Sequence, residues 1–136
     1  VGRYLSLAFS PDGQWLVSGE RACYRLWSTS NWKQEKLLPR EGLGTFGSIA
    51  HSSDGRLFAV AHSRSLVRIY DARSFTPQVD LSVESQFRVN RIVFSKDNTM
   101  LAVSNETTMI HLWDLEAIQA KLSELGLNWK VTGDES

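Results

Sequence analysis

Leu7-Ala8-Phe9-Ser10-Pro11-Asp12-Gly13 is the stretch that decides the fold, because its pattern returns twice further along the chain. It recurs as Ile49-Ala50-His51-Ser52-Ser53-Asp54-Gly55 and as Ile92-Val93-Phe94-Ser95-Lys96-Asp97-Asn98, so its aspartates lie 42 and 43 residues apart. A second landmark keeps the same step, since Trp27, Tyr70 and Trp113 each end an apolar run and follow one another at intervals of 43 residues. Two landmarks with one period indicate three copies of one structural unit.

The pattern within each copy predicts a small antiparallel sheet. The Asp-Gly and Asp-Asn pairs at 12–13, 54–55 and 97–98 tolerate the positive φ that a hairpin turn needs. Short runs rich in Val, Ile, Leu, Phe and Trp flank these turns and predict strands. In the first copy the runs are Ser6 to Phe9, Trp15 to Ser18, Tyr24 to Trp27 and a fourth around Lys36 to Leu38. In the second they are Ser48 to His51, Leu57 to Ala61, Leu66 to Tyr70 and Gln78 to Val83.

Several of these strands are apolar on both sides. The runs 57–61 and 101–103 are nearly continuous in apolar residues, whereas a sheet with one wet face alternates apolar and polar residues. Both faces of each sheet are therefore expected to be covered. A stack of four-stranded sheets with a period of 40 to 45 residues is typical of propeller blades.

The residues from about Ser6 to Asp114 resemble the WD-repeat propellers. Trp113-Asp114 keeps the dipeptide that names the family, while Trp27-Ser28 and Tyr70-Asp71 each keep half of it. The Gly-His dipeptide common before the first strand of a blade is absent, so the family's buried hydrogen-bond network of His, Ser, Asp and Trp is not implied. The resemblance implies a β-propeller fold and a role in binding other proteins.

The third copy stops after its third strand and continues into an amphipathic helix. From Leu115 the apolar residues take helical spacing, Asp114 is placed to cap the first turn, and Gly126 is placed to end the helix. We therefore predict an all-β, partial β-propeller of three blades, the last without its outer strand, plus a C-terminal helix. Its expected parts are blade 1 at 1–45, blade 2 at 46–88, blade 3 at 89–115, the helix at 116–125 and a tail at 126–136.

The last part of the chain is similar to the ends of large bacterial proteins that fuse WD-repeat propellers to other modules, often a serine/threonine protein kinase. That resemblance implies the C-terminal part of a larger multidomain protein, whose catalytic part would lie outside this chain. Three blades cannot close a ring. Because two wet blade faces would form unusually large apolar patches, we expect either missing blades or self-association to cover them.

Composition excludes several classes of function. Fifteen Lys and Arg residues balance fifteen Asp and Glu residues, so no electrostatic attraction favours nucleic acid or an anionic membrane. No apolar run approaches the roughly 20 residues that span a bilayer. Cys23 is the single cysteine, which rules out an internal disulfide and fits a reducing compartment. We expect a cytoplasmic protein without nucleic-acid or membrane partners.

Candidate chemical groups fall in positions that favour structural roles. The repeat places His51 on a first strand, His62 in a loop and His111 on a third strand, so no metal site is predicted. The repeated aspartates are expected to cap their turns. The serines before them lack the glycine-flanked elbow of a nucleophile, and the glycine-rich segment 42–47 lacks the Lys-Ser or Lys-Thr of a phosphate loop. No catalytic residue and no cofactor is predicted.

Five tryptophans could contribute to a recognition surface. Trp15, Trp27 and Trp113 stand at strand positions and are expected to pack between blades, whereas Trp32 and Trp129 are the better candidates for exposure.

The family resemblance implies partner docking on the loops at one end of the ring. Here those loops are the inter-blade segments and the turns between second and third strands, and the alternative for each residue is an ordinary solvated loop position. The candidates are Arg40, Glu41, Glu84 and Gln86 in the first set and Glu20, Arg21, Arg64 and Glu106 in the second. The preferred hypothesis is a non-catalytic scaffold for protein–protein interaction. The alternatives are the propeller region of a larger enzyme, with a site completed by further blades, and a self-assembling part-propeller.

Overall fold

The computed structural model describes residues 6–41, 48–63, 65–83, 89–105 and 109–126. These residues form three antiparallel sheets and one helix, and within each sheet every strand pairs with the next along the chain. The first sheet, blade 1, contains β1 (Ser6–Phe9), β2 (Trp15–Gly19), β3 (Cys23–Ser28) and β4 (Gln34–Pro39). Blade 2 contains β5 (Ile49–His51), β6 (Leu57–Ser63), β7 (Leu66–Asp71) and β8 (Pro77–Ser82). Blade 3 contains β9 (Val89–Phe94), β10 (Met100–Asn105) and β11 (Ile110–Asp114), and α1 (Leu115–Glu124) follows it.

This architecture confirms the predicted partial propeller, including a last blade that has three strands within the described residues. The strands lie where the apolar runs predict them, and most extend by one or two residues beyond the predicted limits. One local prediction is wrong, because His62 belongs to β6 and not to a loop. The bulge between Ala61 and Ser63 lets β6 run two residues further before the chain turns back.

The hairpin turns follow the local chemistry. The turn residues with positive φ are Gly13, Gly55 and Asn98, at 73°, 74° and 63°. Glycine and asparagine are the residue types expected in this left-handed region. In each turn a serine carbonyl accepts a hydrogen bond from the amide of that residue, at 2.9 to 3.0 Å. Three copies of one short motif therefore make three copies of one turn.

Blades 1 and 2 pack face to face. We call the side of a blade turned toward the preceding blade its upstream face and the other side its downstream face. Val17, Tyr24 and Leu26 on the downstream face of blade 1 meet an aromatic and aliphatic cluster on the upstream face of blade 2. That cluster consists of Phe58, Val60 and Tyr70, with Ile49 at its edge. Strand pairing places these side chains on the facing sides of the two sheets, and Val17, Tyr24, Leu26, Phe58, Val60 and Tyr70 are almost completely buried there.

Blades 2 and 3 form a second joint of the same kind. Small and branched side chains of blade 2, such as Ala59 and Ile69, meet Ile92, Phe94 and Leu101 of blade 3. The helix adds Leu115 and Ile118 to this joint. Burial on both sides explains why the strands of blade 2 carry nearly continuous apolar runs. No helix among the described residues is long and apolar enough to cross a membrane.

Candidate interaction site

Because neighbouring strands are antiparallel, the loops lie at two opposite edges of the sheets, where the strands begin and end. The β2–β3 and β6–β7 turns lie at the same end as the inter-blade segments, which we call the linker end. The β1–β2, β3–β4, β5–β6 and β7–β8 turns lie at the opposite end, the hairpin end. The four described residues that were predicted to contact partners, Glu20, Arg21, Arg40 and Glu41, lie at the linker end. Arg64, Glu84, Gln86 and Glu106 lie outside the described residues, as do Trp129 and the glycine-rich segment 42–47.

Two of the four described candidates serve the fold itself. Arg40 is only 7% exposed, its guanidinium lies 5.1 Å from the centre of the Tyr24 ring, and it donates a 2.9 Å hydrogen bond to the Glu20 carbonyl. The Glu20 carboxylate accepts a 2.7 Å hydrogen bond from Arg25. These contacts tie the β2–β3 turn to the segment that leaves blade 1. Arg21 and Glu41 are exposed and remain the accessible members of the predicted set.

The linker end also holds His62. Its side chain is buried, and burial together with the nearby Arg68 charge lowers the pKa of the imidazole. The His62 carbonyl accepts a 2.8 Å hydrogen bond from the Glu41 amide, which joins the two blades at this end. His51 and His111 lie on other strands, β5 and β11. Among the residues that the structure describes, no group of His, Cys, Asp or Glu could hold a metal ion.

At the hairpin end the repeated aspartates cap their turns, as predicted. Asp12 Oδ1 accepts hydrogen bonds from the Ser10 hydroxyl at 2.6 Å and the Gln14 amide at 3.0 Å. Asp54 and Asp97 repeat both contacts in their own turns. Hydrogen bonds to the charged form lower the pKa of Asp12, and they lower that of Asp97 to about 2. In each of these three turns the carboxylate and the serine hydroxyl therefore stabilise the backbone of the turn.

A cleft of about 630 Å³ opens between blades 1 and 2 at the hairpin end. Its apolar lining includes Trp15, Phe58 and Phe75, with the Phe75 ring edge-on to Trp15 at 5.2 Å between centroids. Asp12 and Asp54 line it as well. Sequence reasoning missed this site because the two halves come from blades that are about 43 residues apart. The sequence carried one indication of this site, because Trp32 and Phe75 place an aromatic residue at the same position of the repeat.

Two residues explain why the cleft is open at this joint. At the next joint the Ser53 backbone amide donates a 2.9 Å hydrogen bond to Asn98 Oδ1, and the Asn98 side-chain amide donates a 3.0 Å hydrogen bond to the Ser53 hydroxyl. The repeat places Pro11 where Ser53 stands and Gly55 where Asn98 stands. Proline has no amide hydrogen and glycine has no side chain, so the hydrogen bonds that close the second joint cannot form at the first.

The electrostatics of the cleft favour a cation. Asp12 and Asp54 carry negative charge, and the exposed Arg73 supplies a positive charge in the lining. The Lys36 ammonium of the chain itself lies 6.0 Å from the centre of the Phe75 ring, so this ring already contacts one cation. His51 is half-buried beside Phe58, and burial lowers the pKa of its imidazole to about 4 even though Asp12 acts in the opposite direction. The imidazole is therefore neutral at pH 7. Aromatic rings and carboxylates together suit a lysine or arginine side chain.

The same lining gives little support for acid–base catalysis. Ser10, the serine that lines the cleft, donates its hydroxyl to Asp12 and accepts a 3.0 Å hydrogen bond from the Trp15 amide, so it is held as part of the turn. A serine nucleophile needs a histidine base within hydrogen-bond reach. Within the described residues, no hydrogen bond joins His51 to Ser10. The aromatic rings and carboxylates of the cleft are groups that can bind a basic side chain.

Comparison with known proteins agrees with the architecture. The family described as "WD domain, G-beta repeat" matches residues 3–28 and 77–114. A relative, WD repeat-containing protein 75 of Danio rerio, is 30% identical over 88 residues, which are 64% of this chain. The chain spans only 9% of that relative's length.

A solved structure described as "Structure of U3-55K" superposes with a TM-score of 0.72 at 20% sequence identity. The superposition covers 86% of this chain and 38% of the solved one. At this identity the likeness concerns the fold.

Proposed function

We propose that this chain, a three-blade WD-repeat part-propeller, is a non-catalytic scaffold that binds other proteins, and that the hairpin-end cleft receives a basic side chain of the partner. WD-repeat relatives support the general role of a protein-interaction scaffold. The cleft between Trp15, Phe75 and the two carboxylates is the observation that carries the more specific proposal.

Rigidity of the cleft walls supports this proposal. Trp15 belongs to β2, and Phe58 to β6, where its ring stacks on Tyr70 at 5.1 Å between centroids. Phe75 has a φ of 59° and contacts both Trp15 and Phe58. A receptor whose rings are already fixed loses little conformational entropy on binding.

Charge also separates the cleft from the linker end. At the linker end Glu20 and Arg40 are engaged within the chain, as in the ion pair of Glu20 with Arg25, and the exposed Arg21 and Glu41 have opposite charges. In the cleft the Asp12 and Asp54 hydrogen bonds both go to Oδ1. The outer oxygen of each carboxylate is therefore available to a partner. A lysine or arginine placed between them would contact both the rings and the carboxylates.

A displayed random-peptide library selected on the purified chain tests the proposal. We expect the selected peptides to contain Lys or Arg. We also expect the double variant Pro11→Ser, Gly55→Asn to weaken their binding at least tenfold, because it installs the residues that close the second joint. Asn suits the φ of 74° at position 55, and a Cβ there meets no atom within 4 Å. The free energy of unfolding of this variant should not fall.

Two comparison variants sharpen the test. Asp12→Asn with Asp54→Asn removes the cleft charge and keeps the Oδ1 acceptors, so binding should again weaken. Asp97→Asn makes the same change in the turn of blade 3 and should leave binding intact. If binding instead fails in Arg21→Glu with Glu41→Lys, the partner docks at the linker end and the cleft proposal is wrong. Failure to select any peptide would contradict the scaffold role itself.

A further inference from the structure

The hairpin-end cleft carries charges of both signs, and the strand order separates them. Asp12 lies in the β1–β2 turn and Asp54 in the β5–β6 turn, so both carboxylates belong to the first hairpin of their blades. Arg73 lies in the β7–β8 turn and Lys36 on β4, so both cations belong to the second hairpin. Because neighbouring strands are about 4.8 Å apart, the centres of the two hairpins of one blade are roughly 10 Å apart. We call the two parts the acidic side and the basic side of the cleft.

The Phe75 ring lies on the basic side. It contacts Trp15 and Phe58 edge-on, at 5.2 and 6.2 Å between centroids, and these two rings hold it in place. The exposed Lys36 of blade 1 places its ammonium 6.0 Å from the centre of this ring. A second cation at the same ring would be repelled by Lys36 and by Arg73. A basic side chain of a partner is therefore favoured on the acidic side, beside Trp15 and the two carboxylates.

The two cations of the basic side form no ion pair within the described part of the chain. The ion pairs that the structure shows there involve other side chains, for example Arg68 with Asp80 on the last two strands of blade 2. Lys36 and Arg73 balance the two cleft carboxylates in charge, but the roughly 10 Å between the two sides exceeds the Debye length of about 8 Å at physiological salt. A partner that supplies a cation alone therefore leaves the basic side without a counter-charge.

We propose that the cleft binds a partner segment in which an aspartate or glutamate lies within three positions of the lysine or arginine. The basic residue then occupies the acidic side and the acidic residue the basic side. This ligand pattern rests on the proposed function, which supplies only its basic residue. An extended chain advances about 3.3 Å per residue, so three residues span the roughly 10 Å between the two sides. The Arg73 guanidinium can bind a carboxylate through two parallel hydrogen bonds, and the Lys36 ammonium adds a second positive charge.

Selections from the displayed random-peptide library on charge-swapped chains test this pattern. On the wild-type chain we expect Asp or Glu to be enriched, relative to the unselected library, within three positions of the selected Lys or Arg. On the double variant Lys36→Glu, Arg73→Glu the enrichment should change to a second Lys or Arg, while the first basic residue stays. Lys96→Glu with Lys121→Glu makes the same change in net charge at exposed residues outside the cleft, and it should select the wild-type pattern. Circular dichroism and thermal unfolding show whether each variant is folded.

One selected peptide and two of its variants measure the second charge directly. Replacing the acidic residue of the peptide by Gln should weaken binding to the wild-type chain about two- to fivefold, which is the range of an exposed ion pair. Replacing it by Lys should weaken binding about tenfold, because attraction becomes repulsion. The double variant Lys36→Gln, Arg73→Gln should bind the parent peptide and the Gln peptide equally. It should bind the Lys peptide more tightly than the wild-type chain does.

The outcomes separate this pattern from the proposed function. Peptides that share a basic residue without an excess of acidic neighbours would overturn the paired charges and leave the proposed function standing. The paired charges would also be wrong if the Lys36→Gln, Arg73→Gln variant kept the preference for the acidic residue, or if it weakened all three peptides alike. Peptides without a basic residue, or a selection that yields no peptide, would contradict the proposed function and the paired charges together.

Discussion

At the scale of single residues, His51 shows how one position of the repeat can change its chemistry. Blades 1 and 3 have Phe9 and Phe94 at this position, the first exposed and the second at the edge of the core, and blade 2 has a half-buried histidine. Burial lowers its pKa to about 4 from an ordinary value of 6.5. The folded state thus binds fewer protons than the unfolded state between these values. Its stability must fall as the pH drops through that window.

His51→Phe is expected to reduce this acid sensitivity. In the wild type the loss from His51 between pH 6.5 and pH 4 is on the order of 2 kcal/mol, discounted for partial exposure. The variant should keep most of that free energy of unfolding, measured by urea titration at a series of pH values. The remaining slope in this window belongs mainly to His62, whose pKa is also lowered, because the lowered pKa values of Asp12, Asp80 and Asp97 act below the ordinary value of 3.8. Identical pH profiles for variant and wild type would contradict the burial effect.

At the scale of secondary-structure elements, local capping sets where strands and the helix end. Asp114 ends β11 and accepts a 2.9 Å hydrogen bond from the Ala117 amide, so one residue serves a strand and a helix N-cap. Gly126, with a φ of 74°, follows the helix in the left-handed conformation. The helix spans Leu115–Glu124, one residue earlier at each end than the sequence predicts. Its buried Leu115 ties it to the joint of blades 2 and 3.

Asp114→Ala should therefore lower the free energy of unfolding by about 1 kcal/mol, because the first helical turn loses its side-chain acceptor. Asp114→Asn removes the same charge but keeps an acceptor, and it should cost much less. Chemical denaturation of both variants measures the difference. Equal losses would show that the charge, acting on the helix dipole, matters more than the cap.

At the scale of the whole molecule, a few polar contacts align blades that are otherwise joined by apolar packing. The Tyr24 hydroxyl donates a 2.7 Å hydrogen bond to the Ala61 carbonyl in the next blade, and its burial raises the pKa of the phenol. The Ile92 amide of blade 3 donates a 3.2 Å hydrogen bond to the hydroxyl of Ser48, which lies at the start of blade 2. Because hydrogen bonds are directional and apolar contacts are not, these bonds fix the angle between neighbouring blades.

Tyr24→Phe is expected to lower the free energy of unfolding by about 1 to 2 kcal/mol, since it removes the donor to a buried carbonyl. Tyr24→Leu also removes the ring beneath the Arg40 guanidinium and should cost more. Equilibrium unfolding of the two variants gives the comparison. A neutral Tyr24→Phe would mean that the blades are aligned by apolar packing alone.

The sequence by itself determined the blades, because their signals are local and repeated. Three signals each depend on only a few neighbouring residues: the turn at Asp12-Gly13, the helix cap at Asp114 and the helix end at Gly126. Because the turn recurs with a period of 42 to 43 residues, it predicts three sheets. The tertiary structure decided what lies between the blades. It buries Arg40, which sequence reasoning placed among the partner-binding loops, and extends β6 through His62.

The tertiary structure also decided the open cleft at Pro11 and Gly55 and the hydrogen bond from the Tyr24 hydroxyl to the Ala61 carbonyl. Each of these depends on which side chain of one repeat meets which side chain of the next. That pairing is fixed by packing across about 43 residues of chain, and no local pattern carries it.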